Sequence, residues 1–175
     1  AHKVQSVLFD HSTFNGIWIQ NGGFFADSLT LDGCTFNAYV NKVSANDSNP
    51  LWFCNIRTCD VTVKNCTFKA SRPIKVVEQG VFGANVTITG NRFDMSLTNS
   101  ANDASKPKND AIMFSTITAD STLGNVVVSG NEVTGANALL TFFNPSQITM
   151  ANGATFKVFD NTLNGAKLSV KWKTT

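Results

Sequence analysis

The 175-residue chain has little charge, little histidine and no long apolar run. Only 15% of its residues are Asp, Glu, Lys or Arg, its formal net charge is +2, and its lysines are scattered. This balance gives no basic stripe of the kind that binds nucleic acid. The longest apolar runs are four or five residues, whereas a membrane-spanning helix needs about 20. The sequence therefore predicts neither a nucleic-acid partner nor a membrane span.

The residues that metal and histidine chemistry need are also scarce. The two histidines are His2, near the start, and His11, in a turn. Cys54 and Cys59 have four residues between them, which is not the paired spacing of a zinc site. The sequence has no Ser/His/Asp arrangement, HExxH motif or phosphate-binding glycine loop. We therefore expect no metal site and no cofactor.

An eight-residue phrase returns six times along the chain. In order, its positions hold an apolar residue, any residue, an apolar residue, two turn residues, a small or amide residue, any residue and an apolar residue. The copies read VLFDHSTF, LTLDGCTF, VTVKNCTF, VTITGNRF, VVVSGNEV and FKVFDNTL, and they start at Val7, Leu29, Val61, Val86, Val126 and Phe156. The intervals are 22, 32, 25, 40 and 30 residues, so the phrase is kept while the material between copies varies. Such a repeat predicts a solenoid or an array.

Each copy of the phrase reads as a short strand, a sharp bend and an inward apolar residue. The opening alternation, as in Val61-Thr62-Val63, buries one face. The Gly, Asn and Asp residues that follow tolerate positive φ and bend the chain. Stacked one per coil, the last residues of the phrases are expected to form an internal column of Phe14, Phe36, Phe68, Phe93, Val133 and Leu163.

A second internal column is predicted from the small or amide position of the phrase. Its members are Ser12, Cys34, Cys66, Asn91, Asn131 and Asn161. The three successive asparagines suggest an amide ladder, in which each side chain hydrogen-bonds to its neighbours in adjacent coils. Cys34 and Cys66 are interpreted as stacked buried thiols, with a disulfide as the alternative.

A further strand follows each phrase, again with apolar residues on either side of a variable one. The middle residues should form an outward column of Trp18, Trp52, Lys75, Met113, Thr141 and Ser169. Coils of 22 residues or more therefore stack into a parallel β-helix, a single domain over residues 1–175.

The phrases resemble the repeats of the pectin-lyase-like superfamily of right-handed parallel β-helix proteins. That superfamily includes polysaccharide lyases, glycoside hydrolases, autotransporter adhesins and phage tailspikes. The resemblance covers nearly the whole chain, concerns the scaffold and carries no catalytic signature. It implies an all-β, right-handed, single-stranded parallel β-helix of about six irregular coils, most like the tailspike-type proteins. The hexapeptide period of a left-handed β-helix is absent, and Leu8, Val127 and Lys157 interrupt the threonine column that an ice-binding solenoid would need.

The outward column supplies the binding or interface candidates, which are Trp18, Trp52, Lys75 and Met113. Large apolar side chains facing outward are unusual on a monomer surface. Three explanations remain open. The chain's own loops could cover them, another subunit could pack on them, or sugar rings could stack on the aromatic faces.

The catalytic candidates are Glu78, Asp103 and Asp110. Two insertions, residues 38–50 and 95–110, lie at the same corner of the coil, and loops on a rigid scaffold often carry function. Asp103 and Asp110 lie in or at the end of the second insertion, and Glu78 ends a strand. A glycan-cleaving enzyme would need two or three clustered carboxylates, whereas most acids of this chain occupy turns.

The function that we expect is a non-enzymatic structural or receptor- and glycan-binding β-helix, a phage virion spike, tailspike or decoration component. Its partners would be two more copies in a homotrimer and a cell-surface polysaccharide, at a virion or extracellular surface. The terminal coils begin and end without caps, which indicates an assembly or a fragment of a longer chain. The alternatives are a polysaccharide lyase or hydrolase, or a fragment of one, and a bacterial surface adhesin domain.

Overall fold

The computed structural model describes residues 4–16, 19–21, 26–38, 49–53, 56–76, 80–97, 110–115, 121–145 and 148–172. Within these ranges the chain forms β-strands, turns and bends and no α-helix, so the all-β prediction is confirmed for them. None of the described segments is a helix long and apolar enough to cross a membrane.

The described residues form three sheets of six strands and one of two strands, and every pair of neighbouring strands is parallel. Strands are numbered in chain order. The first sheet contains the opening residues of the phrases, in the spatial order β1 (Val4–Asp10), β4 (Ala26–Asp32), β7 (Asp60–Lys64), β10 (Val86–Thr89), β14 (Val126–Ser129) and β18 (Phe156–Phe159). Spatial order follows chain order, as stacking of successive repeats requires.

The other two sheets follow the same order. The second consists of β2 (Thr13–Asn15), β5 (Thr35–Asn37), β8 (Thr67–Lys69), β11 (Arg92–Asp94), β15 (Glu132–Thr134) and β19 (Thr162–Asn164). The third consists of β3 (Ile19–Asn21), β6 (Leu51–Phe53), β9 (Ile74–Val76), β12 (Ile112–Ser115), β16 (Ala138–Phe143) and β20 (Lys167–Trp172). A two-stranded sheet pairs β13 (Thr122–Leu123) with β17 (Thr149–Met150). The described chain is therefore a parallel β-solenoid.

The predicted phenylalanine column is confirmed in the second sheet. Its register runs Phe14, Phe36, Phe68, Phe93, Val133 and Leu163. The first four rings stack nearly parallel, with centroids 4.7, 4.9 and 4.9 Å apart. This spacing is set by the distance between neighbouring strands, so identical side chains in register meet face to face along the core.

The predicted asparagine ladder is also present. Asn91 and Asn131 donate from Nδ2 to the Oδ1 of the next member, at 3.0 and 2.9 Å. Each of the three amides also donates to a carbonyl oxygen of the preceding coil, those of Val63, Ile88 and Val128, at 2.9 to 3.0 Å. These buried carboxamides are satisfied by one another and by the backbone, which is what burial of a polar group demands.

Cysteines occupy the same column and make the same kind of contact more weakly. The Sγ of Cys34 donates to the carbonyl of Phe9 at 3.3 Å, and that of Cys66 to the carbonyl of Leu31 at 3.6 Å. Both thiols are free and buried, in agreement with the interpretation as stacked thiols. Burial raises the pKa of Cys66 to about 12, so this thiol stays protonated and unreactive.

At the bend of each phrase, one residue has a positive φ and lies in the left-handed region. These φ angles are 45°, 63°, 55°, 65°, 62° and 54° at His11, Gly33, Asn65, Gly90, Gly130 and Asp160. Three of the six are glycine, and the others include Asn and Asp, which tolerate this region better than most residues. The predicted role of Gly, Asn and Asp at this bend is therefore confirmed at five copies, and His11 takes the same conformation at the first copy.

The register of the third sheet differs from the prediction at both of its edges. Gln20, rather than Trp18, pairs with Trp52. Val170, rather than Ser169, pairs with Thr141, and Leu168, which was expected to face inward, is 53% exposed. The run Ala138-Leu139-Leu140 is apolar on both faces, so its alternation could not define which residues point inward.

Candidate functional site

The candidate site lies on the outer face of the third sheet. Trp52, Lys75, Met113 and Thr141 are register neighbours on β6, β9, β12 and β16. We call these four residues the outer column. The predicted juxtaposition of Trp52, Lys75 and Met113 is thus present, because strands of successive repeats pair in register.

The side chains of the outer column become less solvent-exposed from Trp52 to Thr141. Trp52 and Lys75 are half-buried, Met113 is 6% exposed and Thr141 is fully buried. These exposed fractions are those of one chain by itself, so residues of the same chain bury Met113 and Thr141. Little of their surface is left for another subunit, and a trimer formed through this column stays a prediction.

Trp52 and Lys75 interact directly. The Lys75 Nζ lies 4.3 Å from the centroid of the Trp52 ring system, a cation–π geometry. The indole Nε1 is buried, and no residue in the part of the chain that the structure describes accepts a hydrogen bond from it. A sugar ring that stacks on the Lys75 side of the indole has to displace the ammonium group.

Asp110 lies beside the covered end of the outer column and is 3% exposed. Its Oδ2 accepts a hydrogen bond from the Thr141 hydroxyl, and the backbone N–H of Ala138 also donates to the carboxyl. Its Oδ1 is buried and has no hydrogen-bond partner among the described residues. Burial raises the pKa of this carboxyl, and the bonds from Thr141 and Ala138 oppose that shift.

Asp110 belongs to a row of three buried polar residues, of which the sequence pattern had indicated Asp110 alone as a site residue. Asn49, Arg72 and Asp110 are 6%, 3% and 3% exposed, and each lies two residues before the first residue of its third-sheet strand. Asn49 donates from Nδ2 to the carbonyl of Pro73 at 2.6 Å. We call these three residues the polar row. Their common position ahead of the second strand is a signal that the sequence does contain.

The other predicted site residues cannot be placed in this face. Glu78, Asp103 and Trp18 lie outside the described residues. Across the described segments there is no group of three or more His, Cys, Asp or Glu side chains that could hold a metal ion. Chemically, the described part of the site combines a cation, an indole and a buried carboxyl group, which suits hydrogen bonding to a polar ligand.

Comparisons of the chain with protein-family models, with curated proteins and with solved structures found no match.

Proposed function

We propose that this chain is a right-handed, single-stranded parallel β-helix of about six coils, with the architecture of the pectin-lyase-like superfamily. Its proposed role is that of a non-enzymatic structural and carbohydrate-binding module of a spike at a virion or extracellular surface. The stacked phenylalanines and the asparagine ladder support a stiff scaffold, because each coil is bound to the next through its core. Stiff scaffolds of this kind present binding surfaces along their length.

One observation carries the carbohydrate-binding part of the proposal. The half-buried Trp52 and Lys75 are register neighbours on the outer face of the third sheet, and the Lys75 Nζ lies 4.3 Å from the centroid of the indole. Aromatic rings bind the apolar faces of sugars, while convergent polar groups orient the hydroxyls. The partly exposed cation of Lys75 favours an acidic polysaccharide over a neutral one.

A binding experiment tests this role. The parent protein is titrated with a panel of acidic and neutral bacterial polysaccharides, and dissociation constants are compared with those of Trp52→Ala. We expect the acidic glycans to bind and the substitution to weaken binding by about tenfold or more. Phe82→Ala, which removes a 51% exposed ring elsewhere, is the matched control and should change nothing. Absence of glycan binding by the parent, or binding unaffected by Trp52→Ala, overturns the proposal.

A second candidate function is favoured by Asp110. A buried carboxyl group with a raised pKa, one oxygen of which has no partner within the described segments, has properties of a general acid in glycoside hydrolysis. Release of reducing ends from the same glycans tests it. If the chain is a depolymerase, Asp110→Asn lowers the rate by about 100-fold or more, whereas Asp94→Asn in the second sheet leaves it unchanged. A parent protein that cleaves none of the glycans rejects this alternative.

A further inference from the structure

The two ends of the described stack expose part of their core. At the first coil, Val7, Phe9 and Phe14 are only partly buried, whereas their register partners Leu29, Leu31 and Phe36 are 0%, 0% and 1% exposed. At the last coil, Phe156, Val158 and Leu163 are partly buried, whereas their partners Val126, Val128 and Val133 are fully buried. Both end faces are therefore apolar surfaces built from the same columns.

Charge distinguishes the two end faces. In the first coil, residues 4–25, the sequence has one aspartate, Asp10, and no glutamate, lysine or arginine. Between residues 148 and 172 it has three lysines, Lys157, Lys167 and Lys171, and one aspartate. The first coil therefore has one negative charge and the last coil an excess of positive charge, and opposite charge attracts and orients two surfaces in an encounter.

We propose that the last coil of one copy of this chain docks on the first coil of a second copy, so that the sheets continue from one molecule into the next. The repeats predict the register, because the phrases align Phe156 with Val7, Val158 with Phe9 and Leu163 with Phe14. Each of these contacts extends an apolar column that already runs through the chain.

The outward residues complement each other in the same register. Lys157 faces Leu8 and Phe159 faces Asp10, so the 61% exposed Leu8 lies diagonally across from the 48% exposed Phe159. The same diagonal places Lys157 near Asp10. Within the chain, neighbouring strands already make an ion pair between directly opposite residues, with Lys64 Nζ 3.0 Å from the Asp32 carboxylate. Burial of Leu8 and Phe159 together with this charge pair favours the docked state.

The backbone ladder also continues across the join. Inside the chain, the N–H of Thr35 donates to the carbonyl of Ser12 at 2.9 Å, and that of Thr162 donates to Asn131 at 2.8 Å. By the same rule, Thr13 N–H of one copy donates to the carbonyl of Asn161 in the other. Edge strands that present unpaired backbone groups template this kind of pairing. A head-to-tail contact of this kind does not close, so association continues with concentration.

Sedimentation velocity of the full chain, over a range of protein and salt concentrations, tests the proposal. We expect a concentration-dependent series of species that shifts toward monomer as salt rises. Lys157→Glu and Asp10→Lys should each raise the dissociation constant about tenfold, and the double variant, which restores opposite charges, should recover association. Lys69→Glu, in the interior of the second sheet, is the control for net charge.

Three results overturn the end-to-end contact. The first is a parent protein that stays monomeric at low salt. The second is a discrete trimer at every protein concentration. The third is a dissociation constant that Lys157→Glu does not change. Thermal unfolding of each variant shows that the fold is intact, so a loss of association is not a loss of structure. Glycan binding by Trp52 is measured separately and is independent of this outcome.

Discussion

Asn91 and Asn131 lie one coil apart and are joined by two hydrogen bonds. Both the backbone N–H and the side-chain Nδ2 of Asn91 donate to the Oδ1 of Asn131, each at 3.0 Å. The same double contact joins Asn131 to Asn161, at 3.0 and 2.9 Å. One oxygen therefore satisfies two donors at each step, and the amide fixes both the spacing and the register of neighbouring coils.

Asn131→Ala should destabilise the fold by about 3 kcal/mol, because it leaves buried donors of Asn91 and the carbonyl of Ile88 unpaired. Urea unfolding followed by circular dichroism measures the free energy. The matched control is Asn15→Ala, which removes an exposed amide that accepts from Asn37 at 2.7 Å and should cost less than about 1 kcal/mol. Equal losses in the two variants contradict a structural role for the buried ladder.

Phe68→Ala should cost about 4 kcal/mol, since it opens a cavity in the middle of the ring stack, where Phe68 is fully buried between Phe36 and Phe93. The same unfolding measurement on Phe82→Ala should give a change below about 1 kcal/mol, because that ring is 51% exposed. A small loss at Phe68 means that the rings do not stack as described.

Gly124→Ala and Gly153→Ala separate steric overlap from backbone strain. A Cβ at Gly124 overlaps the carbonyl oxygen of Gly83 and the Asn85 side chain, which should cost about 3 kcal/mol or prevent folding. A Cβ at Gly153 meets open space but at a φ of +77°, so only about 1 kcal/mol of strain is expected. Melting temperatures of the two variants test the difference, and the reverse order contradicts the close approach at Gly124.

Asp110 and Asp32 should change stability with pH in opposite directions. Burial raises the pKa of Asp110 above its ordinary value of 3.8. Its contribution is therefore fully present below that value and is lost as the pH rises through the raised pKa. The hydrogen bond from Asn65 and then that from Lys64 lower the pKa of Asp32, so its contribution is present above 3.8 and is lost as the pH falls.

Unfolding free energies of the Asn variants between pH 3 and pH 8 measure both effects. Relative to the parent, Asp110→Asn should gain stability as the pH rises, because its carboxamide cannot ionise. Asp32→Asn should lose stability over the same rise. The same sign of pH dependence in both variants is inconsistent with the environments described for these two carboxyls.

The repeat phrase made most of the scaffold predictable from sequence. Its apolar positions, turn residues and amides recur at each copy, so the columns through Phe68 and Asn131 followed from alignment alone. A second ladder was not predicted. In it, the side-chain oxygens of Asn85 and Asn125 accept hydrogen bonds from the backbone N–H groups of Asn125 and Thr155, at 2.8 and 2.9 Å. Those residues precede the phrase and were outside the pattern that defined it.

The candidate site was less predictable than the scaffold. Alternation along β9 and β12 correctly placed Lys75 beside Met113, but it predicted an outward Met113, whereas this side chain is 6% exposed. Asp110 was recognised by its place at the end of an insertion, whereas its bond to Thr141 is a contact between residues 31 positions apart. Long-range contacts of this kind have no local signature.

Amide hydrogen exchange by NMR tests in-register stacking of the repeats most directly. The backbone N–H groups of Cys66, Asn91 and Asn131 donate to side-chain oxygens of the next coil, so they should rank among the slowest to exchange. The amides of β1 and β18, at the edges of the first sheet, should exchange faster. Rapid exchange at Asn91 and Asn131, at the rate of an unprotected amide, would contradict the stacked solenoid.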